Sequence, residues 1–381
     1  MSQTVRSIQS ICFISKTAHH LLLDDSGTRT GGAELQQTIL ATALASKGIK
    51  VYFITERVDD KEKICLNGKI TVFPVLNFKK GNKYLRKIVY LPSQLWKTLK
   101  EVNADIYYYR NPNYLAGVTA LFCRINAKQF VLAGANDWNF EKGNERNLPN
   151  LIDKLFSRLG IRMADEVLVQ NNRQKRLLEK YYRRKGVVFY NVFPCRKLRN
   201  ISRHVLWVSR VENYKRPKLF LELAQRLPGC SFVMVGGKSE DPVLEKQVEQ
   251  EAAILENVTY LGQQSFDRVE DLFDKSYVFV NTSIPGCEGF PNTFLQAWSR
   301  GIPVISFFDI DNLIIENDLG MVVSSMTEME KAVRILLDYK YNHQQNAETI
   351  QAFFERQFSL DSRVAEFAEI LNRTNTYKKI V

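Results

Sequence analysis

Glu288 stands between Gly286 and Gly289, and Pro291, Asn292 and Thr293 follow within five residues. The β-branched and aromatic residues 277–280 ahead of it have the character of a buried parallel strand. Ser283, Pro285 and Gly286 break that strand, and apolar residues at helical spacing resume from Phe294. The stretch therefore predicts a strand, a loop and a helix, with Pro291 in the first helical turn, where its missing N–H costs nothing. Amides at Asn292 and Thr293 would then face outward from a helix N-terminus that can hold phosphate. Glu288 would lie at the carboxyl edge of the sheet, facing whatever the phosphate carries. A capped core helix with a solvated Glu288 has the same local pattern, so the rest of the chain must decide between them.

Two further places carry groups suited to an anion. Arg210 and Lys215 lie five residues apart just past the apolar run 204–209, where both cations can reach one diphosphate; a basic surface loop is the alternative. Gly31 and Gly32 open a helix and permit close backbone approach to an anion. Their spacing is not the dinucleotide fingerprint, which needs a third glycine three residues on and a short loop from the strand.

The elements that must position these residues alternate along the chain. Residues 11–15 read as a strand, a helix with its buried stripe on Leu35, Ile39, Leu40, Ala43 and Leu44 follows, and residues 51–55 are a second strand. Strands at 105–110, 129–133, 166–170 and 187–190 continue the pattern, with helices near 151–163 and 173–182. A polar, basic stretch from 191 to 203 reads as a linker. The pattern then restarts with strands at 204–209, 231–235 and 258–260 and helices at 217–227 and 242–255. Such alternation predicts an α/β protein of two Rossmann-like domains with parallel sheets facing an interdomain cleft.

Bulk properties narrow the class. The 381 residues suffice for two domains, and 45% hydrophobic with 25% charged residues is a globular composition. Apolar runs are too short to cross a bilayer and no signal peptide is evident, which reads as a cytoplasmic enzyme. Six scattered cysteines fit reduced thiols, and the four histidines show no metal-ligand spacing, so neither a metal nor a cofactor is expected. The net charge of +12 concentrates at Lys79, Lys80, Lys83, Arg86, Lys87, Lys97 and Lys100, and again between Arg173 and Lys185. In the first stretch Leu85, Ile88 and Val89, then Leu95, Trp96 and Leu99, make basic amphipathic segments for which anionic lipid is a natural partner; a solvated face over ordinary core is the alternative. No nucleic-acid-binding signature accompanies the charge.

Glu288-Gly289-Phe290-Pro291-Asn292-Thr293, followed by Ala297 and by Gly301-Ile302-Pro303-Val304-Ile305, resembles the donor-site signature of the retaining glycosyltransferases of the GT-B fold in family 4. The Gly31-Gly32-Ala33-Glu34 opening and the placement of Arg210 and Lys215 are similar to that family as well. The resemblance implies a nucleotide-sugar donor, UDP-linked by family frequency, whose diphosphate meets Arg210, Lys215, the amides near Asn292 and Thr293, and Gly31 and Gly32. It implies that Gly289, Phe290 and Pro291 lie along the donor, that Glu288 faces the sugar, and that Asp137 orients the acceptor hydroxyl. Two positions depart from the pattern. Gln296 stands where the second glutamate commonly binds the ribose diol, and Asn136 where a histidine is usual. Gln296→Glu is expected on this basis to preserve or tighten donor binding.

The expected activity is retaining transfer of a sugar to a lipid-linked or glycan acceptor at the cytoplasmic membrane face. A nucleotide-sugar epimerase, or a non-catalytic subunit that binds sugar nucleotide or lipid, is the alternative. The expected domains are residues 1–198, completed by a helix at about 359–381, and residues 199–358.

Overall fold

The computed structural model describes residues 9–23, 31–57, 63–79, 82, 85–141, 150–196, 203–237, 241–338 and 342–377. Lys80 and Lys83 of the basic stretch lie outside them. The chain divides into two compact units, one of residues 193–359 and the other of most of residues 1–192 together with 360–381.

The first unit is built on an eight-stranded sheet. Its strands are β1 (Ser10–Ile14), β2 (Lys50–Glu56), β3 (Ile64–Leu66), β4 (Ile70–Leu76), β5 (Ile106–Arg110), β6 (Gln129–Ala133), β7 (Glu166–Val169) and β8 (Val187–Val188), in the order β3-β4-β2-β1-β5-β6-β7-β8. All pairings are parallel except that of β3 with β4. Alternation along each strand feeds two cores. Cys12, Ile14, Tyr107 and Tyr109 face the helices Leu91–Val102 and Tyr114–Ile125. Ile11, Phe13, Ile106 and Tyr108 face the opposite side, where the helices Gly32–Ser46 and Leu360–Tyr377 pack. The last helix fixes itself there by Val364, Phe367, Ile370 and Leu371, all buried.

The pairing of β3 and β4 lies outside the alternation read from sequence. Pro74 interrupts the apolar run 70–76, and a proline inside a run argues against a central strand. The structure accommodates it because β3 covers only Ile70, Thr71 and Val72, so that flank of β4 is an edge by residue 74.

The second unit carries six parallel strands, β9 (His204–Val208), β10 (Ser231–Val235), β11 (Val258–Tyr260), β12 (Ser276–Asn281), β13 (Val304–Ser306) and β14 (Gly320–Val322), in the order β11-β10-β9-β12-β13-β14. The order of succession reverses between β9 and β12. At such a switch point the loops leaving the two strand ends diverge to opposite sides and open a crevice.

The helix Asn292–Trp298 follows β12. Pro291 is its N-cap rather than a first-turn residue: with ψ 126° its backbone is still extended, and its carbonyl accepts from Phe294 N–H at 3.2 Å. The other end closes as a Schellman motif, with Gly301 N–H bonded to the Trp298 carbonyl and Ile302 N–H to that of Ala297, both at 3.0 Å. Gly301 takes φ +70°, and a Cβ there would stand 2.4 Å from the Ala347 carbonyl oxygen. Gly301→Ala is therefore expected to cost about 2–4 kcal/mol, from left-handed strain plus a backbone clash, as read from denaturant melts.

Candidate functional site

Of the residues singled out by sequence, the structure joins Lys215 and Glu288 directly. Lys215 lies on the turn Asn213–Lys215 after β9 and Glu288 on the loop after β12, so the two come from the strands that flank the switch point. Lys215 Nζ donates to Glu288 Oε1, and both side chains are largely buried. Ser283 Oγ donates to the same carboxylate oxygen at 2.9 Å. Charges taken this far out of water persist only when paired and hydrogen-bonded.

The two loops are sewn together by residues the sequence did not flag. Arg216, at φ +50°, donates from Nε to the Thr282 carbonyl at 2.6 Å and from Nη2 to that of Ser283 at 3.0 Å. Thr282 Oγ1 donates to the Lys215 carbonyl at 2.6 Å and accepts from Trp207 Nε1 at 2.9 Å. The Ile284 N–H reaches the Tyr214 carbonyl at 2.8 Å. Arg210 joins the group through Tyr214: its Nη2 donates to the tyrosine hydroxyl at 3.0 Å, while Lys215 Nζ stands 5.1 Å from the centroid of that ring. Arg210 also pairs with Glu212 at 3.5 Å. An arginine just before the proline that opens a helix is the one sequence signal for Arg216; nothing marks Tyr214.

Other donor-site expectations fall differently. Phe290 is buried, its ring 5.6 Å from Phe358 and 6.4 Å from Trp298, so its side chain anchors the loop in the core and only its main chain is placed to serve a ligand. Asn292 and Thr293 are half-buried at the helix start. Gly31 and Gly32 are exposed at the N-terminus of Gly32–Ser46. The atom nearest a Cβ added at Gly31 is the Glu34 carboxylate, at 2.1 Å; this is a flexible tip, also held by Thr17 Oγ1 at 2.7 Å.

Gln296 is buried and does not join the Lys215–Glu288 group. Its Nε2 donates to Glu270 Oε1 at 2.8 Å, and the other oxygen of Glu270 takes Arg300 Nη2 at 2.9 Å and Arg196 Nη2 at 2.8 Å. Arg300 also holds Asp274 at 2.6 Å. A glutamate at 296 would set a second carboxylate against Glu270, an adjacency the sequence could not show.

Asp137 is buried in the first unit. Its Oδ1 accepts from Asn171 Nδ2 at 3.2 Å and from Gln174 Nε2 at 3.1 Å, and Arg173 Nη1 lies 3.3 Å from Oδ2. It ties the loop after β6 to the start of the helix Asn172–Tyr182. Burial pushes its carboxyl up to about 6, partly offset by the two amides and the guanidinium. Among the described residues no three His, Cys, Asp or Glu side chains are placed to hold a metal ion, and none of the six cysteines is in a disulfide.

A family described as "Glycosyl transferases group 1" matches residues 202–339, and one described as "Glycosyltransferase Family 4" matches residues 30–196. A D-inositol 3-phosphate glycosyltransferase of Mycobacteroides abscessus is 27% identical over 113 residues, 29% of this chain; the match spans a quarter (25%) of that relative. Among solved structures, the sucrose-phosphate synthase of Thermosynechococcus elongatus superposes with a TM-score of 0.73 at 16% identity, covering 96% of this chain and 98% of its own. HepE of Anabaena, in complex with UDP-glucose, gives 0.71 at 16%, covering 96% and 99%. The catalytic domain of starch synthase IV of Arabidopsis thaliana, bound to ADP and acarbose, gives 0.71 at 13%, covering 97% and 100%. At these identities the likeness speaks to the fold.

Two outcomes are expected from this geometry. Gln296→Glu lowers the melting temperature, and adding Glu270→Gln restores much of the loss, because the double variant again pairs one carboxylate with one amide. For Asp137, the folded state holds the proton more tightly than the unfolded chain. Its contribution to stability is therefore full below about pH 4 and is lost as pH rises through about 6. Denaturation midpoints across that window should carry a downward component that Asp137→Asn removes.

Proposed function

Because the chain belongs to the group 1 glycosyltransferases of the GT-B fold, with a nucleotide sugar as donor, we propose that it is a retaining hexosyltransferase. The acceptor in this reading is a lipid-linked saccharide or glycan at the membrane, and UDP the favoured carrier. HepE in complex with UDP-glucose and starch synthase IV with ADP share this fold. The observation that carries the proposal is the Lys215–Glu288 pair at the β9–β12 switch point, with Arg210 linked to it through Tyr214.

The chemistry follows from where charge develops. As the glycosidic bond to the diphosphate breaks, negative charge grows on the departing phosphate and positive charge at the anomeric carbon. Cations already fixed in place lower that barrier because they need no reorganisation. In this proposal Arg210, Lys215 and the main-chain amides near Asn292 and Thr293 meet the diphosphate, doing the work a divalent cation would do. An arriving phosphate competes with Glu288 for Lys215, and a Glu288 released in this way stands beside the sugar. There it accepts hydroxyl hydrogen bonds and favours positive charge at the anomeric carbon. The acceptor hydroxyl attacks from the face the diphosphate leaves, passing its proton to a phosphate oxygen, so that configuration is kept.

Two measurements test this. A thermal-shift panel of UDP-, GDP- and ADP-sugars should single out one carrier, since a ligand at about 100 times its Kd stabilises by about 2.7 kcal/mol. Lys215→Ala should lower kcat/KM by about 10²–10³-fold, with the α-anomer of an α-linked donor appearing in the product by NMR. An inverted product would refute retention, and transfer undiminished in Lys215→Ala would refute the site.

A further inference from the structure

A second set of residues, on the first unit and remote in sequence from every donor-site residue, has a chemistry of its own. Leu85, Ile88 and Val89 are 62, 56 and 54% exposed, and Leu151 and Leu155 are 80 and 62% exposed. Large aliphatic side chains exposed singly are ordinary, but these are neighbours. Lys87 reaches across from the segment Arg86–Tyr90 to pair with Asp153, which is buried on the helix Leu151–Met163. That ion pair brings the two segments side by side, with exposed aliphatic residues flanking it at one or two positions on either side.

Around this apolar ground the described charges are mainly basic, Glu101 beside Lys100 being the exposed acid. Arg86, Lys97 and Lys100 recur at helical steps along one stripe through the helix Leu91–Val102, with Lys97 and Lys100 exposed. Leu151, Leu155, Arg158 and Arg162 form a like stripe on the neighbouring helix, passing from apolar to basic along its length. Asp153 sets no negative charge against them, since Lys87 consumes it. By contrast, Leu95 and Leu99 turn inward and are fully buried, so those two positions of the basic amphipathic stretch are ordinary core.

We propose that this face, carried by residues 85–89 and 151–155 with their basic stripes, docks the protein on an anionic lipid bilayer. Aliphatic tips rimmed by cations match a surface whose outer layer is anionic and whose next layer is hydrocarbon. A protein partner of matching shape would not require this basic excess around the aliphatic tips. No described helix is long and apolar enough to cross a membrane, so such docking would be peripheral. The proposal deepens the reading of a membrane-borne acceptor, because it states which surface faces the lipid.

The test is co-sedimentation of the full chain with vesicles of phosphatidylcholine, alone or mixed with phosphatidylglycerol, at low and high salt. Wild type should sediment with the mixed vesicles, less with neutral ones, and less at high salt. Leu85→Ser/Ile88→Ser/Val89→Ser and Leu151→Ser/Leu155→Ser should each lose about tenfold or more in partitioning. Lys97→Glu/Lys100→Glu should lose the preference for anionic lipid. Unchanged melting curves would show that the variants fold, as substitutions at exposed positions should. Wild type left in the supernatant with mixed vesicles, or apolar variants that sediment like wild type, would overturn the proposal. So would a wild-type dimer that the apolar variants dissolve, since the face would then join two copies of this chain. Turnover of the donor, measured on the same proteins without vesicles, separates this from the catalytic reading: these substitutions leave it unchanged, whereas a wild type that docks but never turns over would defeat the catalytic reading alone.

Discussion

The pairing of one lysine with one glutamate, drawn from loops 73 residues apart and held largely away from water, is the constraint around which the second unit is arranged. Removing two charges from solvent is unfavourable unless each finds the other with its remaining hydrogen-bonding capacity met. The molecule meets that condition by immobilising the loops before the charges are considered. Arg216 grips two successive carbonyls of the opposite loop, and Thr282 bridges the Lys215 carbonyl and the Trp207 indole. The geometry of the pair is thus set by side chains that grip the main chain of the two loops.

Behind the helix Asn292–Trp298 a second group of charges does purely internal work. Glu270 receives an amide and two guanidinium groups, and Arg300 bridges it to Asp274, so the helices Phe266–Phe273 and Asn292–Trp298 are locked through buried polar contacts. Residue type at 296 is consequently tied to residue type at 270. With a carboxylate already at 270, an amide is the group of similar size that donates to it without adding negative charge. This gives a structural reason for a glutamine where the family pattern has a glutamate.

Much of the architecture is legible in the sequence because it rests on periodicity. Alternation of short apolar runs with helical stripes identifies a doubly layered α/β chain with a restart near residue 204, and the motif from Glu288 to Gly301 marks the strand-loop-helix that matters most. The exceptions have physical causes. Pro74 hides a strand whose outer flank is only partly covered, the three-residue strands β13 and β14 are too short for a periodic signal, and the polar contacts of Tyr214, Arg216, Thr282 and Glu270 have no pattern along the chain.

Sequence by itself determined the fold class, the order of most of its elements, and which ionisable groups stand at strand ends, because these follow from local spacing and residue type. Only the tertiary structure decided that Lys215 meets Glu288, that Gln296 turns to Glu270, that Asp137 is buried among amides, and that residues 85–89 border 151–155. Each of these is a contact between segments distant along the chain. Its existence depends on which strands lie side by side and which loop carbonyls are gripped, quantities that no local pattern encodes.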